Sequence, residues 1–283
     1  IRVVEVGLMH AGPIATGMLG ALGAEVIKVE GPASGDPGRK LEKTYAQDGR
    51  LLEDRSAMFE TYNSGKKSLS LDLKQPEGLR LFYKLISKAD VFLHNMRAET
   101  ALKLGFDFES LLPHNPKIVY GTVSGFGPVG PDRSRPGLDP AGMARSGMMV
   151  AMCGGSDKPL FLPPTAASDR MAGIMTSYGI LAGLFARDRT GEPQRVDSSL
   201  LGGAMWLGQM NLQYALFKGE ELVPCPSEDT PLYTNYRCAD GRYLAIWVAS
   251  ERAWSAFCTV MDLEWLKTDS RFAFGRLRDD DCH

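Results

Sequence analysis

The sequence predicts an α/β fold, with a large Rossmann-like domain on a parallel sheet followed by a smaller α+β domain. Through the first half of the chain, short β-branched runs alternate with helical stretches, which is typical of βαβ units with parallel strands. After residue 223 the pattern changes to a predicted hairpin and one helix. The composition, 44% hydrophobic and 23% charged over 283 residues, is that of an ordinary globular protein.

The predicted strands of the large domain locate a binding edge. The first βαβ unit comprises a strand, a loop, a helix and a strand at 1–6, 7–13, 15–22 and 25–30. Further strands are predicted at 68–73, 90–94 and 118–123, with helices at about 76–88 and 98–104. Ligands collect at the carboxyl ends of parallel strands, so we expect a site near 7–11, 95–97 and 124–127. The loop 7–13 lacks the G-x-G-x-x-G pattern of dinucleotide-binding folds.

The second half of the chain adds helices and then the smaller domain. A helix is predicted near 141–152, and a strand-to-helix transition at 194–200 precedes another helix at 201–217. This last helix is rich in methionine and apolar nearly all round, so we expect it to be buried or covered by a partner chain. The predicted domains are 1–222 and 233–283, joined by a linker at 223–232.

Charge and cysteine content exclude several classes of protein. The formal net charge is −2 and the basic residues are dispersed, which does not favour nucleic-acid binding. No apolar run reaches the length of a membrane span, and no signal peptide is recognised. The 5 cysteines lack metal-ligand spacing, and their odd number favours reduced thiols in the cytoplasm.

The stretch 163–173 contains the candidate catalytic residue, Asp169. Apolar residues recur at helical spacing after it, up to a cationic turn at 187–191 that ends the predicted helix. Ser168 and Asp169 are both suited to cap this helix at its N-terminus. The alternative role for Asp169 is a carboxylate nucleophile, whose pKa the positive end of the helix would lower. The local pattern does not distinguish the two roles.

Basic residues near the predicted strand ends form a second candidate feature. They are Lys66, Lys67, Lys74, Arg97 and Lys103. Each one taken singly is most simply a solvated surface residue. As a group they indicate a site for a phosphorylated cofactor, held through charge-assisted hydrogen bonds.

Eight segments together resemble the family III CoA-transferases and the related α-methylacyl-CoA racemases. They are Ala11–Ala15, Leu22–Glu30, Ser34–Asp36, Asn63–Lys74, Lys88–Val91, Ser124–Gly127, Gly183–Gly191 and Ala239–Tyr243. The resemblance is collinear over nearly the whole chain. It implies an interlocked homodimer and a small domain that continues beyond the part matched here.

The resemblance also implies a mechanism and a set of contacts. In such transferases an aspartate at the position of Asp169 attacks acyl-CoA, the CoA thiolate converts the resulting anhydride into an aspartyl-CoA thioester, and an acceptor carboxylate then takes over the CoA. Coenzyme A, bound as acyl-CoA, and a carboxylic acid are the implied substrates, and no metal is implied. The implied CoA contacts are His10, Ala11, Leu71, Asp72, Leu73, Lys74, Asn95, Met96, Arg97, Lys103, Gly137, Leu138, Asp139 and Pro140.

Three other functions remain open at this stage. The racemases have a His-Asp pair where this chain has Leu138-Asp139, and leucine supplies neither the acid nor the base that a proton shuttle needs. A non-catalytic CoA-binding subunit would retain the cofactor contacts without activity. A plain α/β domain would use Asp169 only as a helix cap.

Overall fold

The computed structural model describes residues 1–44, 47–152, 165–221 and 231–272. Most of the predicted linker lies outside the described residues, as do Cys153, Cys225, Cys282 and the start of the stretch 163–173. The chain divides into two compact units. The first comprises 1–149 with 162–220, and the second comprises 150–161 with 221–283.

A six-stranded parallel sheet lies at the centre of the first unit, which confirms the predicted α/β fold. Its strands are β1 (Arg2–Val6), β2 (Glu25–Glu30), β5 (Lys67–Ser70), β6 (Val91–His94), β7 (Val119–Ser124) and β8 (Gln194–Ser199). Two short strands, β3 (Lys43–Thr44) and β4 (Gln47–Asp48), pair separately. The order β5-β2-β1-β6-β7-β8 reverses direction between β1 and β6. The carboxyl ends of these two strands therefore border the crevice in which such sheets bind ligands.

Helices connect the strands or follow the last of them, and several pack on the two faces of the sheet. They are α1 (Ala11–Ala21), α2 (Ala57–Asn63), α3 (Pro76–Ile86), α4 (Ala98–Leu104), α5 (Phe108–Leu111), α6 (Asp139–Arg145), α7 (Met148–Ala151), α8 (Ala167–Thr190), α9 (Leu200–Leu207) and α10 (Gln209–Lys218). On one face, Phe82 of α3 packs edge-on against Phe92 of β6. On the other face, Leu19 of α1 and Ile180 of α8 share a core with Val3. The central strands β1 and β6 are thus buried on both sides, whereas the edge strand β5 is exposed.

Two predicted helices are each divided in two. The helix expected at 141–152 is interrupted at Gly147, whose φ of 78° is accessible to glycine at little steric cost. The helix expected at 201–217 breaks at Gly208, where an added Cβ would lie only 2.1 Å from the sulfur of Met148. Hydrophobic periodicity alone did not reveal these breaks, because the residues on either side keep a helical pattern.

The second unit contains the predicted hairpin and helix. Strands β9 (Tyr233–Arg237) and β10 (Tyr243–Trp247) pair antiparallel, and helix α11 (Glu251–Val260) follows. Trp254, Cys258 and Leu266 form its small core.

The long helix α8 and the pair α9–α10 expose many large apolar side chains. On α8, Tyr178 is 76% exposed and Phe185 is 62% exposed, and on α10 Phe217 is 85% exposed. Of the two alternatives predicted for the helix at 201–217, burial within the chain is excluded, and cover by a partner chain stays a prediction. Among the described helices, none combines the length and apolar character needed to cross a membrane.

Candidate active site

Asp169 lies in the first turn of helix α8, as its third residue. The residue that precedes the helix is Ala166, which has a left-handed φ of 48° and offers no side-chain cap. Ser168 and Asp169 are thus inside the helix, and the prediction that they cap it is wrong. Their own first-turn N–H groups need an acceptor from elsewhere.

Asp139 of helix α6 supplies that acceptor. Its Oδ1 accepts a hydrogen bond from the Ser168 hydroxyl at 2.7 Å. The same oxygen accepts from the backbone N–H of Ser168 at 2.7 Å and from that of Asp169 at 3.3 Å. One carboxylate oxygen therefore caps α8 and brings the side chain of Asp139 beside that of Asp169.

Helix α1 brings a hydrogen-bond donor to the other side of Asp169. Ala11, at the start of α1, lines the same cavity as Asp169, and its backbone N–H lowers the pKa of the Asp169 carboxyl group. The close approach of α1 and α8 depends on Gly173, where an added Cβ would lie 2.7 Å from Cγ2 of Ile14 and 3.0 Å from the carbonyl oxygen of Ala11. Gly203 gives α9 a similar close approach, because its Cβ would lie 2.9 Å from the carbonyl oxygen of Ser168.

The surroundings of Asp169 favour the protonated acid. Burial raises its pKa from 3.8 to about 7, the negative charge of Asp139 adds to that rise, and the Ala11 N–H opposes it. The prediction that the helix end lowers this pKa is wrong. The loss of hydration and a nearby like charge outweigh the helix dipole, because both act directly on the carboxyl group.

His10 lies at the entrance to helix α1, against the ring of Tyr62. The two ring centroids are 5.4 Å apart in an edge-on arrangement. Burial lowers the pKa of His10, and Arg170 adds to this, while the charges of Asp139 and Asp36 oppose it. Its Nε2 is buried and, within the part of the chain that the structure describes, has no hydrogen-bond partner. A neutral imidazole nitrogen is therefore available to a ligand.

A cavity of about 890 Å³ opens over Asp169, within the size range of small-molecule sites. The predicted contacts that line it are His10, Ala11, Asn95, Met96, Arg97, Gly137 and Leu138. Others are not part of its lining, namely Leu71, Asp72, Leu73, Lys74, Lys103, Asp139 and Pro140. The carboxyl ends of β1, β6 and β7 therefore meet at one site, as the sheet topology predicted.

The cavity wall contains both basic and acidic side chains, and two of its arginines stand apart from the acids. Arg97 and Arg133 line the cavity, and the described residues place no carboxylate within ion-pair distance of either. Lys66, in contrast, is buried and bonded to Glu5, and Lys67 pairs with Glu25. Both lysines are thus already paired within the protein, so neither belongs to the set of free basic residues that was predicted to bind phosphate. No group of three or more metal-ligating side chains is found among the described residues.

Asn95, a predicted CoA contact, has a structural role as well. Its side chain forms two hydrogen bonds with the backbone of Leu8, accepting from the N–H at 2.9 Å and donating to the carbonyl at 2.8 Å. Asn95 therefore fixes the loop before α1 even though it lines the cavity.

Sequence reasoning missed a buried ionic cluster beneath that loop. Glu5 and Lys28 lie inside the β-branched runs of β1 and β2, and they are paired in register. A carboxylate and an ammonium at matching positions of two adjacent buried strands was the signal available in the sequence. Lys28 also pairs with Asp36, and Lys66 completes the cluster.

A second missed pair is His94 and Tyr120, both of which line the cavity. Nδ1 of His94 accepts from the Met96 N–H, and its Nε2 lies 2.7 Å from the Tyr120 hydroxyl. Burial lowers the pKa of His94 to about 4, so the ring is neutral and carries its proton on Nε2. Nε2–H therefore donates to Tyr120.

Comparison with known proteins shows the family of this chain. The profile of CoA-transferase family III matches residues 1–281. The chain belongs to CoA-transferase family III. It is 32% identical to the (R)-2-hydroxy-4-methylpentanoate CoA-transferase of Clostridioides difficile over 277 residues, covering 96% of this chain and 68% of that protein. It is 33% identical to the succinate–glutarate CoA-transferase of Agrobacterium fabrum, covering 98% of this chain and 70% of that protein.

Solved structures of the family share the fold. A CaiB/BaiF family protein from Brucella suis superposes with a TM-score of 0.83 at 28% identity, covering 99% of this chain and 74% of that one. A Mycobacterium tuberculosis protein superposes with a TM-score of 0.85 at 30% identity, covering 99% and 73%. In this family III chain, Leu138 lines the cavity where a racemase would need a histidine, and the relatives named above are CoA-transferases.

Proposed function

We propose that this family III chain transfers CoA from an acyl-CoA to a free carboxylic acid, with Asp169 as the nucleophile. The observation that carries the proposal is the position of Asp169 in a cavity of about 890 Å³, beside Ala11 at the start of α1. The carboxylate, once ionised, is a nucleophile held between the N-termini of two helices.

The chemistry proceeds in two covalent stages. The Asp169 carboxylate attacks the thioester carbonyl of the donor, and the C–S bond breaks to give a mixed anhydride and the CoA thiolate. The thiolate attacks the aspartyl carbonyl, which releases the donor as a carboxylate and leaves an aspartyl-CoA thioester. The acceptor carboxylate then repeats these steps in reverse, so CoA leaves on the acceptor and Asp169 is regenerated as a carboxylate.

The protein supplies donors for the negative charge that develops at each carbonyl. The Ala11 N–H acts on Asp169, and Gly12 is the only other residue of the first three in α1 with an N–H, because Pro13 has none. Donors held in place before the reaction need no rearrangement as the oxyanion forms. His10 offers a neutral nitrogen at the same end of the cavity.

Coenzyme A is the substrate whose phosphates the cavity arginines would hold. Arg97 and Arg133 are the proposed phosphate partners, because both line the cavity. The contacts implied by resemblance at Leu71–Lys74, Lys103 and Gly137–Pro140 remain part of the proposal. Titrating CoA onto Arg97→Gln and Arg133→Gln, separately and together, measures their contribution, and unchanged affinity in both would contradict it.

Intact mass spectrometry tests the nucleophile. Wild type, incubated with a panel of acyl-CoA donors, is expected to gain a CoA adduct that hydroxylamine removes, because hydroxylamine cleaves thioesters. Asp169→Asn is expected to form none. The matched control is Asp188→Asn on the same helix, an exposed carboxylate paired with Arg187. An adduct retained in Asp169→Asn would contradict the proposed nucleophile.

The proposal includes an interlocked homodimer in the cytoplasm. Tyr178, Phe185 and Phe217 expose large apolar surface on α8 and α10, which a partner chain would cover. Cys238 is an exposed thiol outside any disulfide, as expected of a reducing compartment. Light scattering at increasing concentration measures the oligomeric state, and a strictly monomeric protein would contradict the dimer.

A further inference from the structure

We propose that Lys28 and Asp36 are positioning residues, which hold the loop 7–10 so that the Ala11 N–H is aimed at the Asp169 carboxylate. The inference rests on the proposed function for its catalytic consequence. The geometry that supports it lies wholly within the first unit and involves groups that the transfer mechanism itself does not use.

Four charged side chains form a buried cluster beneath this loop. Lys28 Nζ lies 2.8 Å from Glu5 Oε1 and 3.0 Å from Asp36 Oδ2. Lys66 Nζ lies 2.8 Å from the second oxygen of Glu5. All four side chains are at most 3% exposed, so their charges are compensated by one another and not by water.

The cluster forms hydrogen bonds with the backbone of the loop at two residues and with the backbone of helix α1 at one. Lys28 donates to the carbonyl of Gly7 at 2.6 Å. Asp36 accepts from the N–H of Met9 through both carboxylate oxygens, at 3.1 and 3.2 Å. Lys66 donates to the carbonyl of Pro13 at 2.9 Å. Each of these backbone groups is on the segment that leads to Ala11 or on the helix that follows it.

The loop needs such support because its backbone is strained. Met9 has a φ of 63°, in the left-handed region that side chains other than glycine rarely adopt. The residue before the helix, His10, has no side-chain cap bond. Without the hydrogen bonds from Lys28 to Gly7 and from Met9 to Asp36, the loop would relax and the direction of the Ala11 N–H would change.

Loss of the cluster should raise the pKa of Asp169. The Ala11 N–H lowers the pKa of Asp169 against burial and the charge of Asp139. Misaligning this donor raises that pKa further, so less carboxylate is ionised at neutral pH. Among the other groups near this end of the site, Asp36 raises the pKa of His10 through its charge, and both double variants lose that charge equally, whereas Arg170 and Asp139 are not substituted.

A pair of charge-neutral double variants isolates the positioning role. Lys28→Met with Asp36→Ala removes one cation and one anion and leaves Glu5 paired with Lys66. Lys28→Met with Asp36→Asn has the same charge but keeps an acceptor for the Met9 N–H. The matched control is Lys67→Met with Glu25→Gln, a more exposed pair that joins β2 to β5.

Two readouts are measured on the full chain. The first is the Asp169 carboxyl titration by ¹³C NMR, assigned with Asp169→Asn, which needs no CoA chemistry. The second is the pH dependence of CoA-adduct formation. In the Met/Ala variant we expect the midpoint of both to rise by about one pH unit, which slows adduct formation about tenfold below the midpoint. The Met/Asn variant should shift less, and the control should match wild type.

The outcomes separate this inference from the proposed function. A raised NMR midpoint supports the positioning role even if wild type forms no adduct. The missing adduct would contradict only the proposed transferase function. A lower melting temperature with unchanged midpoints would show a purely structural cluster and overturn the inference. If the Lys28→Met, Asp36→Ala variant does not fold, the midpoint of the Lys28→Met, Asp36→Asn variant tests the inference, because this variant has also lost the hydrogen bond from Lys28 to Gly7.

Discussion

At the scale of single residues, Asp169 has to lose a proton in surroundings that favour the neutral acid. Burial and Asp139 raise its pKa to about 7, and only the Ala11 N–H opposes them. The carboxyl group is thus half ionised near neutral pH. A pKa near the working pH is typical of groups that a site has been arranged to use.

Adduct formation should therefore depend on pH through this group. The rate of CoA-adduct formation is expected to rise about tenfold per pH unit below pH 7 and to level off above it, because only the carboxylate attacks. Stopped incubations between pH 5 and pH 9 with one donor measure the profile. A rate that is flat from pH 5 to pH 7 would contradict the raised pKa.

Replacing Asp169 by Asn should stabilise the fold while abolishing the adduct. The unfolded carboxyl ionises near 3.8 and the folded one near 7, so the folded state binds the proton more tightly and its stability falls as pH rises between those values. Relative to Asp169→Asn, wild type should lose about 2 kcal/mol between pH 5.5 and pH 7. Urea unfolding at both pH values measures this, and a pH-independent difference between the two proteins would contradict it.

Asp139 both caps α8 and raises the pKa of its neighbour. Asp139→Asn retains an oxygen acceptor but removes the charge, so the midpoint of adduct formation should move to lower pH. Asp139→Ala should in addition cost about 1 kcal/mol of stability through the lost cap. The pH profile and chemical denaturation of the two variants separate these effects, and a midpoint unmoved in Asp139→Asn would show that its charge does not act on Asp169.

At the scale of elements, the site is built where glycines let helices approach closely. Gly173 brings α1 against α8, and Gly203 brings α9 against the turn that carries Asp169. These contacts decide where the Ala11 N–H and the Asp169 carboxylate meet. The position of the Ala11 N–H relative to the Asp169 carboxyl group therefore depends on how closely these helices pack.

Adding one methyl group at Gly173 should lower both the stability of the protein and its rate of adduct formation. The new Cβ would lie 2.7 Å from Ile14 and 3.0 Å from a backbone carbonyl, so Gly173→Ala is expected to cost about 1–3 kcal/mol and to slow adduct formation. Gly20→Ala in α1 is the control, because its Cβ meets only an ordinary contact at 3.4 Å. That change should stabilise the protein by about 0.5–1 kcal/mol. Equal effects of the two substitutions would contradict the close-approach argument.

At the scale of the whole molecule, one surface stands out by its apolar character. Helix α8 buries one face against α1 and the sheet, and its opposite face presents Tyr178 and Phe185 to solvent. The adjacent helices α9 and α10 continue this exposure. A surface of this kind marks an interface in most proteins of ordinary composition.

Charged substitutions on that surface should affect assembly before stability. Tyr178→Lys with Phe185→Lys is expected to reduce the mass seen by light scattering to that of one chain. The melting temperature of the dissociated protein should change little, since neither side chain is buried in the chain itself. Leu52→Lys, at a position 84% exposed, is the control. A double variant that keeps the wild-type mass would place the interface elsewhere.

The sequence by itself determined the parallel α/β architecture, the later hairpin, the end of α8 near Gly191 and Asp169 as the candidate nucleophile. The architecture, the hairpin and the helix end follow from short-range patterns along the chain. The local pattern left Asp169 as either a cap or a nucleophile, and the resemblance of the segments to a family favoured the nucleophile. The helix breaks at Gly147 and Gly208 escaped this reading, because their neighbours keep a helical pattern.

Only the tertiary structure decided how Asp169 is held and in which direction its pKa moves. Its cap comes from Asp139, 30 residues earlier in the chain, and its donor comes from Ala11. The Glu5, Lys28, Asp36 and Lys66 cluster likewise joins residues up to 61 positions apart. Desolvation and the approach of distant charges are properties of packing, and no local pattern contains them.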